Sequence, residues 1–217
     1  MKVGTDGVLL GAWADVAEDA HILDVGTGSG IIAIMAAERN AKVRITALDI
    51  DADAVAQAKA NASATPWHER IVVEHSDIKL FASDIKFDHI ISNPPYFMEK
   101  TLSPNAQRSL ARSAESLPFR DLVASAERLL KEGGKLSVVL PTESALLFRY
   151  EAFEHLWLNR LCSVVTVEGD APKRTLMEFI RTDNPLMPCC EELVIQHRDG
   201  SYSSKYRELT KDFYLNF

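Results

Sequence analysis

Along the first half of the chain, short unbroken apolar runs alternate with longer stretches of helical periodicity. His21-Ile22-Leu23-Asp24-Val25, Val43 to Leu48, Ile71 to Glu74 and Phe87 to Ile91 are short and rich in branched aliphatic side chains, as buried strands are. Between them, Ile31 to Arg39 and the Ala-rich Asp51 to Ala64 read as helices, with Asp51 near the start of the second, where a carboxylate suits the helix dipole. Val8 to Ala14 also has helical spacing and is entered from the loop Val3-Gly4-Thr5-Asp6-Gly7. Strand and helix in alternation predict an α/β fold.

The second half continues the pattern less regularly. Phe119 to Leu130 reads as an amphipathic helix closed by Gly133-Gly134. Lys135 to Leu140 is a strand stopped by Pro141, and Ser144 to His155 is a further helix. Leu161 to Val167 and Leu176 to Arg181 are strands expected to form a hairpin, with Lys173 and Arg174 at its tip. Glu192 to Gln196 has the length of a short extra strand, and the tail from Tyr202, alternating aromatic and charged residues, is expected to pack as an edge. The polar segment Phe97 to Ser116 is too long for a plain connection and reads as a lid or binding loop, with an ordinary surface loop as the alternative. No repeat or linker breaks the chain, so residues 1–217 are expected to form one domain.

Composition narrows the class. A chain that is 47% hydrophobic and 25% charged has the balance of a folded globular protein. No apolar run approaches the roughly 18 residues of a membrane span, and Met1-Lys2 leads into no signal-peptide pattern. Of three cysteines, Cys189 and Cys190 are adjacent and none is spaced for zinc, so reduced thiols and a cytoplasmic location are expected, with no metal. A net charge of −7 argues against indiscriminate nucleic-acid binding but leaves room for a local basic patch. The chain starts abruptly for a domain, which leaves an upstream segment open.

Candidate chemistry gathers after the strands. His21 to Val25 runs into Gly26-Thr27-Gly28-Ser29-Gly30 and then a helix, the opening of a Rossmann-like unit. Asp49, about 20 residues beyond the glycine loop, stands where a carboxylate meets a ribose hydroxyl. Together they point to a nucleoside-type cofactor, and Gly28-Ser29-Gly30-Ile31-Ile32-Ala33 keeps a dinucleotide open. After Phe87 to Ile91 comes Ser92-Asn93-Pro94-Pro95-Tyr96. Two prolines stop the strand and stiffen the turn, and Asn93, before proline, is pushed towards extended backbone. The Asn93 side-chain oxygen and the Pro94 carbonyl are then two acceptors close together, suited to the two N–H groups of an amine conjugated to a ring. Tyr96 offers a face on which a base could stack, worth roughly 1–3 kcal/mol. The plain alternative is a proline-terminated strand with a core tyrosine.

Leu23-Asp24-Val25-Gly26-Thr27-Gly28-Ser29-Gly30 resembles motif I of the S-adenosylmethionine-dependent methyltransferases. The resemblance implies that Asp24, with Gly26, Thr27, Gly28 and Gly30, receives the amino-acid end of S-adenosylmethionine, that Asp49 beside Ile50 binds its ribose, that Asp77 beside Ile78 accepts from its adenine, and that Asn93 also borders the cofactor. The Asn93 to Tyr96 turn is similar to that of the amino methyltransferases, which act on adenine N6, guanine N2 or glutamine amides. Met1 to Ala14, the hairpin and Tyr206 to Tyr214 resemble, within that group, the bacterial tRNA1(Val) adenine N6-methyltransferases. This implies a Rossmann-like class I methyltransferase, with a mostly parallel seven-stranded sheet, an antiparallel C-terminal hairpin and helices on both faces. The implied reaction carries a methyl group to the N6 of the adenine next to the anticodon of a tRNA, by a monomer that needs no metal. Asn93, Pro94, Pro95 and Tyr96 would be catalytic. Charge and placement suggest Arg108, Arg112, Lys173 and Arg174 as RNA contacts, with Lys2 and Thr5 bordering the pocket.

Rivals remain open at this stage. Guanine N2 of rRNA, a DNA adenine or a protein glutamine would meet the same acceptor pair, although DNA enzymes usually add a target-recognition domain and glutamine enzymes an N-terminal helical one. A nicotinamide-dependent dehydrogenase, or a nucleotide-binding module without catalysis, would leave the Asn-Pro-Pro-Tyr turn unexplained.

Overall fold

In the computed structural model, residues 4–17, 20–94 and 118–215 are described. Helix α1 (Thr5–Trp13) precedes β1 (His21–Val25), α2 (Ile31–Arg39), β2 (Arg44–Asp49), α3 (Ala52–Ser63), β3 (Ile71–His75) and β4 (Phe87–Ser92). After residues 95–117 follow α4 (Phe119–Leu129), β5 (Leu130–Pro141), α5 (Thr142–Ala152), β6 (Trp157–Val167), β7 (Arg174–Ile180), β8 (Cys189–Gln196) and α6 (Ser204–Thr210).

Strand alternation feeds two cores, one on each face of the sheet. Ile22, Ile45, Ile91, Val139 and Leu176 pack with Leu9 and Leu10 of α1, Ala33 of α2 and Val55 of α3. Their neighbours Leu23, Ile90, Val138 and Met177 point the other way, towards Leu122 of α4 and Phe148 of α5. Burial on both faces at the centre of the sheet explains why β1 and β4 read as unbroken apolar runs, while the edge strands β3 and β8 stay partly exposed.

The strand order is β3-β2-β1-β4-β5-β7-β6-β8. All pairings among β3, β2, β1, β4 and β5 are parallel, β7 is antiparallel to both β5 and β6, and β8 is parallel to β6. So β7 alone is reversed among these strands, and the hairpin expected from the sequence is the β6–β7 pair. The short extra strand adds an eighth member, longer than expected, beyond β6.

Two sequence expectations are corrected. Gly133-Gly134 does not close a helix: α4 ends at Leu129, and Leu130 goes straight into extended backbone paired with Phe87. The glycines lie in an irregularity of β5, where Gly133 takes φ +75° and its N–H donates to the Arg181 carbonyl at 2.8 Å. The tail is not an edge strand but α6, begun by the Ser203 hydroxyl, which accepts from the Tyr206 N–H. Tyr206 is buried among the residues of the first core.

Candidate active site

Because the strands other than β7 run one way, their carboxyl ends form one rim, and the ends of β1, β2 and β4 are neighbours on it. In open α/β sheets this edge, at the crossover between β1 and β4, is where ligands bind. After β1, the N–H groups of Gly26 and Thr27 both donate to the Leu48 carbonyl at 2.9 Å, which seats the loop on the end of β2. Gly26 has φ +70°, and a methyl group there would meet nothing within 4 Å, so the loop leaves open space above it. At Gly30 the reason is close approach: a methyl group would lie 3.3 Å from the Ala58 side chain on α3. Asn61, also on α3, donates to the Ser29 carbonyl at 2.8 Å and steadies the far side of the loop.

Asp24 is fully buried. Its Oδ2 accepts from the Thr27 hydroxyl at 2.5 Å and the Ala33 N–H at 3.2 Å, whereas Oδ1 is buried with no partner. Burial pushes this carboxyl up to about 7, against the lowering effect of Thr27 and Ala33, and the charge of Asp49 adds to the rise. Asp49 ends β2, where its Oδ2 accepts from the Gly28 N–H at 2.8 Å and its Oδ1 from the Asp51 N–H at 3.0 Å. Ile50, next to it, is largely exposed, and its carbonyl is 2.8 Å from His75 Nε2. Asp77 lies just past β3, its Oδ1 accepting from the Lys79 N–H at 2.9 Å and its Oδ2 3.4 Å from the Lys79 ammonium. Ile78 is buried beside it.

At the end of β4 the Ser92 hydroxyl donates to the Val25 carbonyl at 2.8 Å and locks the strand to β1 next to the glycine loop. Asn93 follows half-buried and Pro94 buried. The structure therefore brings Asp24, Gly26, Thr27, Gly28, Gly30, Asp49, Asp77, Asn93 and Pro94 to one rim. Pro95, Tyr96, Lys2, Arg108 and Arg112 lie outside the described residues, as does the whole of Phe97 to Ser116.

Thr5 opens α1, exposed, and the buried Gly7 behind it approaches the site: a methyl group on Gly7 would be 3.5 Å from Ile31 Cγ2 and 3.9 Å from Asn93 Nδ2. Sequence reasoning gave Asp6 and Gly7 no role. The sequence places Thr5-Asp6-Gly7 in a loop, whereas α1 already begins at Thr5, and only that winding brings Gly7 beside Ile31 and Asn93. Lys173 lies in the turn before β7, but Arg174 is inside that strand, opposite Pro141, and its Nε donates to Asp6 Oδ2 at 2.7 Å. Among the described residues no group of three or more His, Cys, Asp or Glu side chains is placed to hold a metal ion, and no helix is long and apolar enough to cross a membrane.

Residues 4–147 match the family described as Methyltransferase small domain. Two curated relatives, from Phocaeicola vulgatus and Bacteroides thetaiotaomicron, are 46% and 43% identical over the whole chain and 92% and 91% of their own lengths. Both are named tRNA1(Val) (adenine(37)-N6)-methyltransferase. Among solved structures, one titled a predicted O-methyltransferase from Agrobacterium tumefaciens superposes with a TM-score of 0.77 at 20% identity, covering 95% of this chain and 96% of its own. TrmN from Thermus thermophilus superposes with a TM-score of 0.59 at 20% identity, covering 81% of this chain and 48% of its own. At such identities the likeness is one of fold.

Proposed function

Since the chain belongs to the tRNA1(Val) (adenine(37)-N6)-methyltransferase family, we propose that it methylates the N6 amine of the adenine beside the anticodon of a tRNA, with S-adenosylmethionine as donor. The observation that carries this reading to a place on the molecule is Asn93-Pro94, held against the glycine loop by the Ser92–Val25 hydrogen bond.

The residues of the rim suit the cofactor. The unpartnered Oδ1 of Asp24 calls for a donor, which an amino-acid ammonium brings. The space above Gly26 accepts the chain that follows it. Asp49 uses one lone pair of each oxygen on backbone amides, which leaves capacity for ribose hydroxyls, and those amides keep it oriented. Asp77 and Ile78 are assigned to the adenine, one by hydrogen bonding and the other by apolar contact. Bound there, S-adenosylmethionine supplies an electrophilic methyl group on a sulfonium that is its own leaving group, so the scheme calls on no metal.

The chain's own part is orientation. Asn93 Oδ1 and the Pro94 carbonyl accept the two hydrogens of the target amine and turn its nitrogen towards the methyl group. Pro95 stiffens the turn, and Tyr96 is assigned to stack on the adenine ring. A base in an anticodon loop is already single-stranded, so extruding it costs only a few kcal/mol, by order of magnitude. Thr5 and Lys2 border the pocket in this reading, and Lys173, with Arg108 and Arg112, meets phosphates. We assign the activity to a single-domain monomer in the cytoplasm.

The test is direct. The protein is incubated with unmodified tRNA and isotopically labelled S-adenosylmethionine, and the nucleosides are analysed by mass spectrometry. Labelled N6-methyladenosine is expected. Label in methylguanosine instead would assign the site to a different amine, and absence of label from the tRNA would remove the tRNA reading.

A further inference from the structure

The two ends of α1 are held differently. At its C-terminal end Arg39 Nη1 donates to the carbonyls of Gly11 and Ala14 at 2.7 and 2.6 Å, and Trp13 Nε1 donates to Glu191 at 2.9 Å. Arg160 also lies over the Trp13 ring, 4.2 Å from its centre. The N-terminal end has no side-chain cap from Gly4, and the Val8 N–H reaches the Gly4 carbonyl only at 3.4 Å. It is this loosely wound turn that stands beside both Ile31, where α2 leaves the glycine loop, and Asn93.

Asp6 and Arg174 tie that turn down. The pair spans 168 residues of sequence, at 2.7 Å, with both side chains mostly shielded. Arg174 Nη1 also donates to the Lys173 carbonyl at 3.0 Å, while that same carbonyl accepts from the Thr142 N–H at 3.2 Å. The guanidinium is therefore fixed to the rim where β5 gives way to α5. A lysine, with one compact ammonium, could not hold both directions.

We propose that Arg174 is a positioning residue for methyl transfer: through Asp6 it holds the first turn of α1 against Asn93, rather than serving as a phosphate contact. This rests on the methyltransferase reading above and adds to it the device that keeps the acceptor turn aligned with the glycine loop. Misplacement of about 1 Å can cost on the order of 10²-fold in rate, so a loosened turn should be felt in turnover. The far end of α1 stays anchored without the pair, so the fold should survive its loss.

The experiment compares Arg174→Ala, Asp6→Ala, the double variant and Arg174→Lys in single-turnover methyl transfer to tRNA, with hydrogen exchange on the free protein. Each Ala variant should lose about tenfold or more in rate at saturating substrates. The double variant should be no slower than either single one, and Arg174→Lys should recover only part of the loss. The tRNA KM and its salt dependence should stay unchanged. Exchange at Val8 should accelerate in both Ala variants while that at Ala14 stays slow. A raised tRNA KM with an unchanged rate, and a salt slope smaller by roughly 0.7–0.9, would make Arg174 a phosphate contact and overturn the proposal. Unchanged exchange at Val8 would overturn it as well. Failure of the unmutated protein to methylate tRNA would instead remove the tRNA reading, and the exchange data would still decide whether the tie exists.

Discussion

Asp24 is where sequence and structure add the most to each other. Its place two residues before the glycine loop marks it as a site residue, but not its burial or its titration. Those depend on α2 returning the Ala33 N–H to the same oxygen that takes the Thr27 hydroxyl, which leaves Oδ1 without a partner. Burial raises the carboxyl to about 7, so near neutrality it holds its proton about half the time. A bound ammonium favours the ionised form, so cofactor binding near neutral pH should release a proton. Affinity for S-adenosylhomocysteine should then be flat above about pH 8 and weaken by up to about tenfold per unit below about pH 7. Calorimetry in buffers of different ionisation enthalpy measures both effects, and Asp24→Asn should abolish the proton release. A pH-independent affinity would remove Asp24 from the cofactor site. For folding the sign is opposite to that of a salt-bridged acid. The folded chain keeps the proton between the ordinary value of 3.8 and about 7, so the contribution of Asp24 to stability is fullest in acid and is lost as pH rises through about 7.

At the scale of elements, apolar runs located β1, β2 and β4 closely because both faces of those strands are largely buried, whereas the edge strand β3 buries only one face, with Val72 exposed. The glycine pair misled because Gly-Gly marks both a helix end and a strand irregularity. What separates the two is tertiary: a methyl group at Gly134 would stand 2.9 Å from the Lys131 carbonyl and 3.1 Å from that of Phe87. Backbone cannot move aside there as a flexible side chain would. Gly134→Ala should therefore lower unfolding free energy by about 1–3 kcal/mol in denaturant titration, with the fold kept. A wild-type midpoint would mean that β5 tolerates a side chain at this irregularity. The tail was misread for another reason. Its alternating aromatic and charged residues resemble a strand, but Ser203 offers a helix cap three residues before Tyr206, and that signal outweighs the alternation. Arg174 shows a third limit: its charge was legible, but its partner lies 168 residues away.

For the whole molecule, one reversed strand decides how the C-terminal third meets the rest. With β7 inserted between β5 and β6, Trp13 at the far end of α1 meets Arg160 of β6 and Glu191 of β8, and Glu178 of β7 is buried opposite Arg160. Burial alone would raise the Glu178 carboxyl, but Arg160 and Asn159 hold it below its ordinary value. Arg160 reaches from Glu178, at 2.9 Å, to the Trp13 ring, so one side chain joins the sheet to α1. Arg160→Ala leaves a buried carboxylate without its cation, with only the Asn159 amide still donating to it, and should cost about 3–5 kcal/mol of stability, measured by denaturant unfolding. A loss of less than about 1 kcal/mol would show that water reaches Glu178 freely. Stability thus gathers at one end of α1 and chemistry at the other, where Gly7 faces Asn93. The account stands most directly on that asparagine. In single-turnover methyl transfer with saturating cofactor and tRNA, Asn93→Ala should slow the chemical step by about 10²-fold or more, because one of two positioned acceptors is gone. S-adenosylhomocysteine binding should survive in the same variant, since the glycine loop and the carboxylates hold most of the cofactor. A near-wild-type rate for Asn93→Ala would contradict the assignment of this rim as the site where the amine is held.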